Sequence, residues 1–150
     1  MPFMKGAIKK EEYYVVIFGC GRLGSRIANW LSSMGSSVVV VDRNEQSFQA
    51  LSFEFTGFQV LGNATELDTL KEAKVDKADV VLVLTPDDNT NLMIAMSAKE
   101  YFSVPRVVAR AYDPNNIEMF SDFGVEVICP TLLAVENIKN VLYFIGGDER

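Results

Sequence analysis

Three glycines in the run Gly19-Cys20-Gly21-Arg22-Leu23-Gly24 follow directly on the apolar stretch Tyr13 to Phe18 and form a G-x-G-x-x-G turn. In such a turn the first glycine permits a tight reversal. The second lets backbone approach a pyrophosphate, and the third lets a helix pack close on a strand. The helix that follows starts with unpaired N–H groups and partial positive charge, which is chemistry for holding phosphate. Asp42 ends the next β-branched run, 18 residues beyond Gly24, close to the spacing of an acid that accepts a ribose hydroxyl. A carboxylate there repels a 2′-phosphate, so unphosphorylated adenosine ligands, NAD(H) or ATP/ADP with AMP as a smaller option, are favoured over NADP. Arg43 beside it could pair with a 2′-phosphate or stack on the adenine face. Asp42 has a second reading as the N-cap of a helix beginning near Glu45.

A P-loop reading fails, because Ser25-Arg26 follows Gly24 where a Lys-Ser or Lys-Thr pair is needed. Hydride-transfer chemistry needs a substrate site and a proton donor or acceptor. The sequence has no histidine, and no tyrosine is followed by lysine four residues later. Cys20, in the phosphate loop, reads as a small apolar filler in preference to a nucleophile. Catalytic residues and metal ligands are therefore expected to be none. A binding module without chemistry is the simpler reading; the alternative is a small NAD-dependent oxidoreductase or a fragment of one.

The elements that must position these residues alternate along the chain. Runs Tyr13 to Phe18, Ser37 to Val41, Phe58 to Leu61, Asp79 to Leu84, Arg106 to Arg110 and Glu126 to Ile128 read as strands. Several are apolar without alternation, as strands buried on both faces are. Helical spacing joins Leu23, Ile27 and Leu31 up to Gly35, then Phe48, Leu51 and Phe55. Thr65 with Asp68 reads as a capping-box-like start for a third helix. Asn89 to Tyr101, a helix opened by Asp113-Pro114, and Thr131 to about Ile145 complete the set. The prediction is one α/β Rossmann domain, a doubly wound parallel six-stranded sheet in the order 3-2-1-4-5-6 with helices on both faces. Its crevice falls where the first and fourth strands diverge.

The sequence has 150 residues and a formal net charge of −6, which suits one globular domain over 13–150 behind a solvated arm over 1–12. The acidic balance argues against nucleic acid or an anionic lipid surface as partner. Cys20 and Cys129 stand in unrelated contexts, neither a disulfide framework nor a zinc pattern, and fit a reducing compartment. No stretch is long and apolar enough for direct membrane insertion, so the expected location is cytoplasmic. The last helix carries Leu132, Leu133, Val135, Ile138, Val141, Leu142 and Ile145, more apolar surface than one sheet face uses. It either packs on a second subunit or is fully buried.

These residues resemble the regulator-of-potassium-conductance family, also called KTN or TrkA-N, over about Tyr14 to Ile145. The likeness includes Gly19-Cys20-Gly21-Arg22, the Val40-Val41-Asp42 end of strand two, Gly62-Asn63-Ala64-Thr65, Ala78-Asp79, Thr85-Pro86-Asp87-Asp88 with Asn91, Arg110, and Gly124 with Pro130. The resemblance implies a cytoplasmic regulatory subunit of a potassium channel or Trk/Ktr-type transporter. Such a subunit binds NAD(H) or ATP/ADP, forms homodimers or larger rings, and sits at the inner face of the membrane through its partner. It implies that Arg22 senses phosphate, that Asn63 and Ala64 line the adenine, and that Thr85 lies near ribose and phosphates. Arg110 could reach phosphate or a neighbouring subunit, or pair with Asp87 or Asp113. Asn63 departs from the usual aspartate, and the smaller C-terminal ligand domain of many members is expected to be absent.

Overall fold

The computed structural model describes residues 13–145. The arm expected over 1–12 lies outside the described residues. The elements are β1 (Tyr14–Phe18), α1 (Arg22–Ser33), β2 (Ser37–Asp42), β3 (Phe58–Leu61), α2 (Leu67–Glu72), β4 (Val80–Val83), α3 (Asp88–Met96), β5 (Arg106–Arg110), α4 (Ile117–Asp122), β6 (Glu126–Ile128) and α5 (Pro130–Ile145). The strands pair in parallel in the order β3-β2-β1-β4-β5-β6, which is the topology the alternation predicts. After β3 the chain crosses to the far side of β1, so the carboxyl ends of β1 and β4 part and leave a crevice.

Period two along the strands divides the core between the two sheet faces. Val16, Phe18, Val39, Val41, Val81 and Val83 face one way and meet Leu70 of α2, Ile94 of α3 and Phe120 of α4. Val15, Ile17, Val38 and Val40 face the other and meet Ala28 of α1 and Phe48. Both faces of β1 and β2 are dry, which is why their sequences show no polar alternation.

Three connections depart from the helices expected. The segment carrying Phe48 is a short 3-10 helix, Glu45–Ala50, capped by Asn44, whose side chain accepts from the Gln46 N–H. Leu51 and Phe55 lie beyond its end, so this crossover is a turn and irregular chain. Before α2 the Thr65 hydroxyl bonds Asn63 and makes no capping box, and the helix begins two residues later behind Glu66. The helix expected over Asn89 to Tyr101 loosens after Met96 into a π-turn, Ser97–Tyr101.

The last helix settles its two readings against burial. Residues 131–144 are exposed throughout, with Leu133 at 60% and Leu142 at 57%. The sheet face away from α3 and α4 is correspondingly thin over β4 and β5, where Val80, Leu82 and Val108 are only half-buried.

Candidate functional site

At the carboxyl ends of β1, β2 and β3 lies a crevice of about 310 Å³, walled by Gly19, Asp42, Arg43, Asn63, Ala64 and Thr85 among others. Three demands on the glycine turn can be separated. Gly19 has φ +103°, and a Cβ there would lie 2.8 Å from the Leu84 carbonyl oxygen. A Cβ on Gly24 would sit on the Gly19 carbonyl oxygen. Both glycines are required by the fold itself. A Cβ on Gly21 meets nothing within 4 Å and its φ of −85° suits any residue, so nothing inside the chain requires glycine there. That is a backbone cradle a side chain would fill. Gly21 is also the N-cap of α1, which has no side-chain cap for its first-turn N–H groups.

Asp42 is placed by the end of β2. One of its carboxylate oxygens accepts the Cys20 N–H at 2.8 Å, and the other accepts the Asn44 N–H at 2.8 Å. It therefore holds the glycine turn as well as facing the crevice. Asn44, not Asp42, caps the following 3-10 helix, so the N-cap reading of Asp42 is not what forms. The Gly62 N–H donates to the Asp42 carbonyl at 3.0 Å, which carries the β2–β3 pairing one residue further and brings Asn63 beside Asp42. Asn63 is fixed in turn, since its Oδ1 accepts from the Thr65 N–H at 3.0 Å and the Thr65 hydroxyl at 2.7 Å.

On the opposite wall, Thr85 is gripped by Asn91, which is fully buried. The Asn91 amide donates to the Thr85 and Arg110 carbonyls, each at 2.9 Å, and its Oδ1 accepts from the Thr85 N–H at 3.1 Å and from the Thr85 hydroxyl. Arg110 is 8% exposed and donates to the Leu84 and Thr85 carbonyls, and its guanidinium lies 4.6 Å from the centre of the Tyr112 ring. Its Nε is buried without a hydrogen-bond partner. Burial pulls its pKa down, against the Tyr112 and Asp88 charges. Of the alternatives open in the sequence, neither a pair with Asp87 nor one with Asp113 forms. Asp88 instead accepts from the Tyr112 and Asp113 N–H groups and from the Asn116 amide. Burial pushes the Asp88 carboxyl up, but those donors and Arg110 outweigh it and hold it below the ordinary range.

The remaining expected residues stand apart from the crevice. Arg22 is exposed and flanks a shallow hollow with Arg26 on the far side of the turn. Leu23 packs into the core under α1. Cys20 is buried, and burial with the neighbouring Asp42 charge pushes its thiol up to about 11, so it stays protonated and fills space as expected. Asp87 and Thr90 also line the crevice and are not among the residues singled out for binding. Asp87 accepts the Thr90 hydroxyl and N–H at 2.7 and 2.8 Å as the cap of α3, and those two bonds lower its pKa. The Asp-x-x-Thr spacing before an apolar run was the signal for that cap. Among the described residues no group of three or more acidic, histidine or cysteine side chains is placed to hold a metal.

The sequence signature of the TrkA-N domain matches residues 15–130. The chain is 38% identical over 135 residues to the Trk system potassium uptake protein TrkA of Streptomyces coelicolor, covering 90% of this chain and 60% of that protein. It thus spans somewhat less than two thirds of that relative's length. Among solved structures it resembles the GsuK channel bound to NAD, with TM-score 0.76, 27% identity and coverage of 89% of this chain and 24% of that one. It likewise resembles GsuK bound to ADP, with TM-score 0.75, 27% identity and coverage of 90% and 35%.

Proposed function

We propose, from the premise that this chain belongs to the TrkA-N domain family, that it is the nucleotide-binding regulatory part of a potassium channel or Trk/Ktr-type transporter. The observation that carries this reading is the crevice itself. A glycine turn with a cradle that the chain does not use for its own packing meets a ribose-type carboxylate at the switch point of the sheet. A nucleotide fits there with its phosphates at Gly19 to Gly24 and the α1 N-terminus, its ribose on Asp42, and its base between Arg43 and Asn63-Ala64. Thr85 closes the other side. NAD(H), ATP/ADP or AMP all share that core. The GsuK structures with NAD and ADP support the class.

The reading extends to assembly. α5 exposes an apolar surface from Leu132 to Phe144, and β4 and β5 leave half-buried apolar residues on one sheet face. A second copy of the chain brings two such surfaces together in a homodimer, the unit of a larger ring. Ligand then acts by shifting the population of two dimer geometries, and a membrane-embedded partner reads the shape. No described helix is long and apolar enough to cross a membrane, which fits a cytoplasmic subunit held at the membrane by that partner. No catalytic step is assigned, and Cys20, with its thiol at about 11, is no nucleophile at neutral pH.

Calorimetry and thermal melting with NAD, NADH, NADP, ATP, ADP and AMP test the reading. A ligand at 100 times its Kd adds about 2.7 kcal/mol, roughly 5–10 °C in Tm for a domain of this size. Asp42→Asn, which keeps the side-chain size but sets an amide NH2 against one of the two backbone N–H groups that Asp42 accepts, is expected to weaken binding at least tenfold and to lower the Tm of the free protein as well. If no nucleotide raises the Tm, the proposal is wrong.

A further inference from the structure

We infer that Asn63 reads the base of the bound nucleotide through a hydrogen-bond donor, so that this site accepts 6-keto purines about as well as adenine. The inference rests on the nucleotide reading of the crevice. With phosphates at the turn after β1 and the ribose on Asp42 at the end of β2, the base must fall on the β3 side, because the strands lie in the order β3-β2-β1. There the Gly62 N–H bonds the Asp42 carbonyl, and Asn63, the next residue, lines the crevice.

The two ends of an amide are told apart by what surrounds them. The Thr65 backbone N–H can only donate, and it lies 3.0 Å from Oδ1 of Asn63. The Thr65 hydroxyl donates to the same oxygen at 2.7 Å. A flipped amide would lose the bond from the Thr65 backbone N–H and set two donors against each other there, whichever way the hydroxyl turns. Oδ1 is thus occupied within the loop, and Nδ2 has no partner among the described residues. What the residue offers a ligand is N–H alone.

A donor at this point meets N1 or N7 of adenine, or O6 or N7 of hypoxanthine and guanine. It cannot require a 6-amino group, which is itself a donor. An aspartate of the same shape would keep one oxygen on Thr65 and turn the other outward as a pure acceptor. That oxygen would bond a 6-amino group and repel a 6-keto oxygen. The sign of base selection therefore hangs on one atom.

The test is the ratio of Kd for inosine 5′-diphosphate to Kd for ADP, measured by calorimetry on the full chain and on Asn63→Asp. The added charge weakens both ligands alike, so the ratio isolates the base. The wild-type ratio is expected within about threefold of one, rising at least tenfold in favour of ADP in Asn63→Asp. Thr65→Val, which keeps the backbone N–H, should leave the wild-type ratio in place and serves as the loop control. A wild-type preference for ADP of tenfold or more, or the same ratio in wild type and Asn63→Asp, overturns the inference while leaving nucleotide binding intact. Failure of both diphosphates to bind wild type overturns the nucleotide reading and this inference with it.

Discussion

The two walls of the crevice spend their polar groups differently. On the β1–β3 wall, the Asn63 amide N–H groups have no partner among the described residues and the Asp42 carboxylate faces the crevice as well as bracing the turn, while Gly21, on the adjoining hollow, has open space where a Cβ would stand. On the β4–β5 wall the lining side chains of Thr85, Asp87 and Thr90 are bonded within the wall, and Asn91 and Arg110 behind them are turned inward. Asn91 and Arg110 are bonded to the backbone of Leu84, Thr85 and Arg110, and Asp88 ties that wall to the loop after β5. Spare valence is what recognition needs, and spent valence is what rigidity needs. In the proposed reading, one wall meets the ligand and the other holds shape behind it.

The sharpest division lies inside the glycine turn. Gly24→Ala drives a methyl into the Gly19 carbonyl in a helix that cannot shift without opening the core. Overpacking of this kind costs about 3 kcal/mol or more, which outweighs the helix propensity gained, so Tm should fall by roughly 6–12 °C. Gly21→Ala is expected to leave Tm within about 2 °C and to weaken nucleotide binding at least tenfold, since its methyl occupies the cradle. Equal effects of the two substitutions on stability would erase the distinction between fold-required and ligand-reserved glycines.

Asn91→Leu probes the opposite wall. It fits the buried space but leaves the Thr85 N–H and the Arg110 carbonyl without their side-chain partner. At about 1–3 kcal/mol for each of these two unpaired groups, Tm should drop by roughly 4–24 °C. A melt within 2 °C of wild type would show that this wall is not held by its polar network.

The smallest effect sits furthest from the crevice. Arg106 and Glu126 form a bidentate pair at 2.7 and 3.0 Å on the open sheet face. The Arg106 hydrogen bonds hold the Glu126 carboxyl below its ordinary value, Arg106 and Lys99 adding to the attraction against a smaller desolvation. A lowered folded-state pKa makes protonation favour unfolding, so the contribution is present above the ordinary glutamate value and is lost as pH falls through the folded value. The side chains are 37% and 52% exposed, and water screens the pair to at most about 1 kcal/mol. Glu126→Gln should melt about 1–3 °C lower than wild type at pH 7, with the gap closing as pH falls below the ordinary glutamate value. A gap that stays constant with pH removes the ion pair from the account.

Much of this arrangement is legible in the residues. The strands, their parallel order, the glycine turn and Asp42 follow from apolar runs and one spacing, because period and backbone permissiveness are local properties. The crossover over Glu45–Ala50 was not legible as a 3-10 helix. Phe48, Leu51 and Phe55 keep helical spacing, yet Asn44 closes only a short turn and Gly57 must pass under the Val38 carbonyl. Arg110 reads as a surface or ligand arginine because a buried guanidinium is rare, and the carbonyls of Leu84 and Thr85, the Tyr112 ring and the Asp88 charge together make its burial tolerable.

By itself the sequence determined which segments are strands, where the glycine turn lies, and that a carboxylate follows it at the end of the second strand. Each of these depends on contacts or conformations within a few residues. The tertiary structure alone decided that Asn91 serves the backbone, that Arg110 turns inward, and that α5 stands away from its own sheet. Those outcomes depend on which donors and acceptors distant strands bring within 3 Å. An amphipathic helix carries the same apolar stripe whether it covers its own sheet or a second copy.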